Sequence, residues 1–207
     1  MVSQFDINKL FEHLEQAAVN LDEIHYLHFA DAMLEFSNSF AFLGRALSMA
    51  FSDITSKAAI IKNNFQGSQF TGLQSMISDE IRRGVERFHQ DDHHASTART
   101  ILRLMWFFDF LRQLIINFST HLDWKMSKCV SEAYDDAFGP HHPWPVRMAA
   151  KVGIKTVPNR EEYGRRLLGD ISLERQLELF NRMLELSSPI REALWNFYKR
   201  NNLTELP

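Results

Sequence analysis

Two pairs of charged residues, each pair four residues apart, are the first candidates for chemistry. Asp53 precedes Lys57, and Arg99 precedes Arg103. Side chains at this spacing share one face of a helix. The first pair is either a weak ion pair or the floor of a binding site. Two stacked guanidinium groups repel each other unless an anion lies between them, and their forked geometry suits phosphate oxygens. Alternatively, each arginine reaches solvent or pairs with a separate carboxylate.

A third candidate lies in the corner His-His-Pro-Trp-Pro at residues 141–145. His142 is either an ordinary hydrogen-bonding histidine or a ligand contact. Trp144 either packs in the core or lies exposed at the turn, where an indole suits a membrane–water interface.

Other kinds of site are weaker. The polar segment 89–94 is rich in histidine and aspartate but matches no compact metal-binding motif. A hydrolase built on His142 and Asp53 lacks a nucleophile elbow and a second placed carboxylate. Cys129 has no partner histidine at a recognisable spacing, so we interpret it as an inert thiol. We therefore expect no catalytic residue, no metal and no cofactor.

Composition limits the class of protein. The 207 residues are 45% hydrophobic, which is enough for one core, and we expect a single domain over residues 1–207. The formal net charge of −3 argues against a nucleic-acid partner. No window of about twenty residues is free of charge, so no membrane-spanning helix is expected. A lone cysteine and the absence of a signal peptide favour the cytoplasm.

Hydrophobic periodicity predicts about eight helices and no strands. Asp6 caps the first helix, Thr71 caps one that runs to Gln90, and Ser96 or Thr97 caps the central one. Ser172 caps a helix that ends near Leu186, and Pro189 opens the last. The other predicted helical regions are residues 28–65 with a break or kink, Ser127–Phe138, Val146–Val152 and Glu161–Leu168.

Two of these helices position the charged pairs. The stretch Phe42–Phe65 carries an apolar stripe with Asp53 and Lys57 on its edge. Its members are Leu47, Ala50, Phe51, Ile54, Ala58 and Ile61. The helix from Ala98 is apolar nearly all round, which predicts a place at the centre of the fold. Seventeen phenylalanines form either an ordinary core or the lining of a site for something bulky and apolar.

The sequences FSDITSK, RTILRL and AYDDAFGPHHPWPVR, in this order between about Phe42 and Val152, resemble the glycolipid transfer protein family. The resemblance implies an all-α fold, a two-layer helical sandwich. It also implies a monomeric, non-enzymatic carrier that moves single sphingolipids between membranes through transient contact with their surfaces.

The resemblance also implies roles for individual residues. Asp53 matches the aspartate that binds the ceramide amide N–H, and His142 matches the histidine that binds the amide carbonyl. Lys57 matches the lysine that reaches the headgroup. Arg103 replaces a sugar-stacking tryptophan and, together with Arg99, is similar to the branch that transfers ceramide-1-phosphate.

We therefore expect a carrier of phosphate-headgroup sphingolipids. The chains are predicted to lie among Phe42, Leu43, Leu102 and Trp106, and Trp144 is predicted to touch the membrane. A glycosphingolipid carrier and a sphingolipid sensor with little net transfer remain alternatives.

Overall fold

A computed structural model of the protein describes residues 5–87 and 95–207, with the backbone alone for 45–52. The described part is all-α, as predicted, and its only β-type pairing is an isolated antiparallel bridge between His25 and Gly72. The helices are α1 (Ile7–Ala17), α2 (Tyr26–Phe40), α3 (Arg45–Phe65), α4 (Leu73–Arg83), α5 (Thr97–Thr120), α6 (Met126–Ala137), α7 (Trp144–Ile154), α8 (Arg160–Leu168) and α9 (Leu173–Arg200).

Helix α5 lies at the centre, in contact with α3, α4, α6 and α9. Its start is tightly held. Ser96 Oγ accepts from the Arg99 backbone N–H (3.0 Å), which confirms the predicted cap. The fully buried Glu80 of α4 accepts from the backbone N–H groups of Thr97 (2.6 Å) and Ala98 (2.9 Å). These bonds satisfy donors that a helix start leaves free, and they orient the first turns of α5.

The predicted break within residues 28–65 occurs at Gly44. A 3-10 turn over Ala41–Leu43 ends there, and α3 begins with the next residue. Gly44 has φ of +108°, a conformation that L side chains rarely adopt. The break lets α3 take a direction of its own, and α3 carries Asp53 and Lys57. Leu47, Ala50 and Phe51 of the predicted stripe fall among the residues whose side chains are not described.

The prediction that Pro189 opens the last helix is wrong, because α9 runs through it without interruption. Proline inside a helix removes one hydrogen bond and costs about 3 kcal/mol. A continuous buried stripe offsets that cost, and it crosses the proline at helical spacing. Its members are Phe180, Met183, Ser187, Ile190, Leu194 and Tyr198. Ser188 Oγ also donates to the Leu184 carbonyl in the preceding turn (2.7 Å).

The predicted helix from Thr71 to Gln90 is wrong at both ends. Gly72 takes the N-cap position without a side-chain cap, because backbone bonds to the start of α2 fix this terminus. The Thr71 carbonyl accepts from Tyr26 N–H (3.1 Å), and Leu73 N–H donates to Ile24 (2.9 Å). The helix ends at Arg83, where Gly84 adopts the left-handed conformation. The predicted polar turn at 89–94 lies outside the described residues.

Candidate functional site

A cavity of about 450 Å³ lies between α3, α5, α6 and α7. Four of the five residues predicted to bind a headgroup line it: Asp53, Lys57, Arg103 and His142. Apolar side chains make up most of the remaining wall, including Ile54, Trp106, Phe110, Val130, Phe138, Val146 and Ile154. The fold thus places residues that are 89 positions apart in sequence around one space that is lined by both charged and apolar side chains.

Asp53 and Lys57 form an ion pair at the α3 wall of this cavity. Lys57 Nζ lies 2.5 Å from Asp53 Oδ2, and their side chains are 18% and 63% exposed, respectively. An ion pair one turn apart whose carboxylate is largely exposed contributes only a few tenths of a kcal/mol. Since the bond is weak, a ligand can recruit either partner at little cost. The predicted ion pair is confirmed, and a role in ligand binding stays a prediction.

Arg103 is half-buried and lies over the indole of Trp106, with its guanidinium carbon 4.2 Å from the ring centroid. His141 stacks on the same indole at 3.7 Å with an interplanar angle of 3°. The Nη1 atom of Arg103 is buried and has no hydrogen-bond partner among the described residues. Burial lowers the pKa of Arg103, Arg99 lowers it further, and Asp53 opposes both. An anionic group would satisfy this donor and restore the lost solvation.

Arg99 lies one turn before Arg103 but does not line the cavity. Its Nε donates to the backbone carbonyl of Pro207, which also accepts from Arg103 Nη2 (2.8 Å). Burial lowers the pKa of Arg99. The two arginines are thus brought together, as predicted, and they share one acceptor oxygen.

His142 is held by α6. Its Nδ1 lies 2.8 Å from the Tyr134 hydroxyl, and its ring stacks on Phe138 at 5.1 Å. Burial raises the pKa of Tyr134, with Asp135 adding to the effect, so the phenol keeps its proton and can donate to Nδ1. Burial and His141 lower the pKa of His142, and Asp53 opposes them. A neutral imidazole that accepts at Nδ1 carries its proton on Nε2, where it can donate to a ligand oxygen.

Helix α7 closes one side of the cavity with small residues, Ala149, Ala150 and Gly153. It is longer than the predicted Val146–Val152 because Pro143 acts as its N-cap and Trp144 begins it. Trp144 is 65% exposed, and Val146, Met148 and Val152 are exposed beside it. Arg147, Lys151 and Lys155 recur every four residues along the same segment. The exposed surface is therefore both apolar and basic.

Only one of the four residues predicted to contact the lipid chains lines the cavity. Trp106 lines the cavity, whereas Leu43 and Leu102 are fully buried in the core, and Phe42 packs against that core. A separate small void between α2, α5, α8 and α9 has only apolar and weakly polar walls. For chains to lie among Phe42, Leu43 and Leu102, as predicted, the helices that pack there would have to separate.

Sequence reasoning missed two residues of the site, Tyr134 and His141. Tyr134 belongs to the motif AYDDAFGPHHPWPVR, which by itself indicates no role for it. A hydrogen bond across eight residues and a helix–turn boundary follows no helical period, so no pattern signals it. His141 adjoins His142 in sequence. Only the tertiary structure shows that His141 stacks on Trp106, whereas His142 contacts Tyr134 and Phe138.

The described part of the chain holds no group of three or more His, Cys, Asp or Glu side chains arranged for a metal ion. The metal alternative drawn from residues 89–94 falls outside that part. Cys129 is buried, and burial raises the pKa of its thiol, as an inert cysteine requires. None of the described helices is long and apolar enough to span a bilayer.

The sequence profile of the glycolipid transfer protein family (GLTP) matches residues 24–169, and the chain belongs to that family. A ceramide-1-phosphate transfer protein of Danio rerio is 28% identical over 216 residues, with 100% of each chain covered.

Solved structures agree on the fold. Human ceramide-1-phosphate transfer protein in complex with 12:0 ceramide-1-phosphate superimposes with a TM-score of 0.88 at 22% identity, covering 98% of this chain and 100% of that one. A fungal glycolipid transfer protein gives a TM-score of 0.72 at 17% identity, covering 92% and 96%. The predicted family and its helical sandwich fold are confirmed.

Proposed function

We propose that this protein extracts single sphingolipids with a phosphate headgroup from one membrane and delivers them to another. The observation that carries the proposal is the buried Nη1 of Arg103, which has no partner among the described residues, in a largely apolar cavity that Lys57 also lines. The ceramide-1-phosphate transfer proteins among its relatives support the same headgroup.

The ceramide amide is assigned to Asp53 and His142. The Asp53 carboxylate accepts from the amide N–H, and the imidazole Nε2–H donates to the amide carbonyl. Tyr134 orients that imidazole. The phosphate is assigned to Lys57, Arg103 and Arg99. Charge-assisted bonds are about twice as strong as neutral ones, so a phosphate gains more from these cations than a hydroxyl does.

A sugar headgroup is the weaker alternative. A sugar ring favours an open aromatic face, whereas Arg103 and His141 both lie against the Trp106 indole. A neutral sugar would also leave the guanidinium groups poorly paired. The buried methylenes of either lipid contribute about 0.8 kcal/mol each, so the chains supply affinity and the charged end supplies selection.

Several further features belong to the same proposal. We take the chain to act as a single domain and a monomer, in the cytoplasm, without catalysing a reaction. In the described part of the chain, a hydrophobic core cluster draws on helices from α1 to α9. A transfer protein needs a cavity and a membrane contact rather than a reactive group.

The deciding experiment is transfer between vesicles, with ceramide-1-phosphate and galactosylceramide compared at equal concentration. Catalytic amounts of protein should move the phospholipid faster. Faster movement of the galactolipid would refute the phosphate assignment, and tight binding without transfer would favour a sensor.

Trp144 is proposed to be the membrane contact. Trp144→Ala should weaken binding to vesicles and slow transfer, while lipid binding in detergent stays unchanged. Trp124→Ala is the matched control, because Trp124 packs against His121 and Lys128 away from the cavity. Equal losses in both variants would contradict the role of Trp144.

A further inference from the structure

The segment Leu203–Pro207 leaves the end of α9 and returns to the start of α5. Leu203 and Leu206 are buried at 3% and 4% exposure. The Leu203 N–H donates to the Tyr198 carbonyl (3.0 Å), and the Tyr198 hydroxyl donates to the Ala98 carbonyl (2.7 Å). The segment is thus anchored to the core beside the arginine pair by two leucines, and we call it the strap.

The strap supplies acceptors to the arginine pair. The Pro207 carbonyl accepts from Arg99 Nε and from Arg103 Nη2 (2.8 Å). The Leu206 carbonyl accepts from the same Nη2 (3.2 Å). One oxygen therefore bridges two guanidinium groups that are one helical turn apart. A phosphate oxygen bound by both arginines would need that position.

Only one member of the arginine pair faces the cavity while the strap is in place. Lys57 and Arg103 line it, but Arg99 does not. Nη2 of Arg103 is engaged by the strap, and its Nη1 has no partner among residues 5–87 and 95–207. The closed strap thus leaves only part of the arginine pair for a headgroup.

We propose that the strap is an internal competitor for the headgroup phosphate. It occupies the arginine pair in the empty protein and is exchanged for phosphate when a lipid loads. This inference rests on the proposed function. A phosphate can replace the strap because it offers several anionic oxygens to both guanidinium groups at once, whereas the strap offers one oxygen to Arg99 and two to Arg103. The Arg99 guanidinium joins the site when the strap leaves.

An internal competitor lowers apparent affinity by the fraction of molecules in the open state. Loosening the strap should therefore tighten binding of ceramide-1-phosphate. Ceramide itself shares the chains and the amide but has no phosphate, so its affinity should not change. This contrast separates a competitor from a general loosening of the cavity.

The affinity test uses Leu206→Ala, which weakens the anchor and leaves both arginines in place. Titration calorimetry should give about three- to tenfold tighter binding of short-chain ceramide-1-phosphate and unchanged binding of ceramide. Leu14→Ala in α1 is the matched control, since Leu14 is buried at 1% exposure and does not line the cavity. Unchanged or weaker phosphate binding, or equal gains for both lipids, would overturn the proposal.

A second test needs no lipid. A nitroxide on Glu205→Cys reports strap mobility, since position 205 is exposed and the buried Cys129 is protected from labelling. Arg103→Gln should sharpen the electron paramagnetic resonance lines of the nitroxide in the lipid-free protein, because the strap becomes more mobile, whereas Arg112→Gln should not. Pyrophosphate added to the parent labelled protein should sharpen these lines as well.

A spectrum that changes neither in Arg103→Gln nor with pyrophosphate would refute the proposal that the strap occupies the arginine pair, even if lipid transfer is confirmed. Conversely, release of the strap by pyrophosphate in a protein that does not bind ceramide-1-phosphate would refute the proposed function, while the exchange of the strap for a phosphate group would stand. The two tests therefore fail separately.

Discussion

Replacing Arg103 with glutamine is the most informative perturbation of the site. The side chain lies over Trp106, lines the cavity and leaves one buried nitrogen without a partner in the described residues. Hydrogen bonds to charged groups contribute about 1.5–3 kcal/mol. Their loss corresponds to about 10- to 150-fold weaker binding. Arg103→Gln should therefore weaken the binding of ceramide-1-phosphate by a factor in this range. Because the same change also releases the strap, we expect a value toward the lower end.

The same change should affect stability little. The folded protein loses the cation–π contact with Trp106, worth about 0.5–1 kcal/mol where partly exposed, and two hydrogen bonds to backbone oxygens of the strap. It also loses a buried donor that has no partner in the described part of the chain, which offsets part of that cost. We expect the free energy of unfolding to change by less than about 2 kcal/mol.

The assay is calorimetric titration with ceramide-1-phosphate and with ceramide, beside urea unfolding of each variant. Arg112→Gln removes the same charge from the same helix at a position outside the cavity, and it should bind both lipids like the parent protein. Arg103→Gln should lose affinity only for the phosphorylated lipid. Equal affinity of Arg103→Gln and the parent protein for ceramide-1-phosphate would refute Arg103 as a headgroup ligand.

Three further predictions address the groups that hold the site. Tyr134→Phe removes the bond to Nδ1 of the cavity histidine, so binding of ceramide and of ceramide-1-phosphate should fall together by about 3- to 10-fold; a loss confined to one lipid would contradict an orienting role. Glu80→Ala leaves two N–H groups at the start of α5 without their acceptor, and urea unfolding should show a loss of about 2–4 kcal/mol, whereas a change below 1 kcal/mol would argue against this cap. Burial, His25 and His13 lower the pKa of His28, and the unfolded chain therefore takes up its proton at a higher pH than the native protein does. As the pH is lowered below about 7, the free energy of unfolding should therefore decrease, until the native imidazole also takes up its proton. His28→Asn should flatten that slope, and an unchanged slope would show that another group causes it.

Much of the fold follows from local sequence. Asp6, Ser96 and Ser172 cap the helices predicted for them, because the capping oxygen and the N–H groups it accepts from lie within three residues. Helix α5 is central because nearly every face is apolar, and only the interior can bury all of them. The charged pairs Asp53–Lys57 and Arg99–Arg103 also follow from spacing alone, since helical geometry places residues four apart on one face.

Tertiary structure decided the rest, wherever one segment supplies what another needs. Pro189 is a local signal to begin a helix, but a buried stripe on both sides of it outweighs that signal. Thr71 does not cap α4, because backbone hydrogen bonds with Ile24 and Tyr26 fix the start of that helix. The Pro207 carbonyl meets Arg99 and Arg103 across more than a hundred residues, a contact that no periodicity encodes. The sequence alone thus determined which side chains could bind an anion. Packing determined which of them face the cavity, because Arg103 lines it whereas Arg99 is turned toward the backbone oxygen of Pro207.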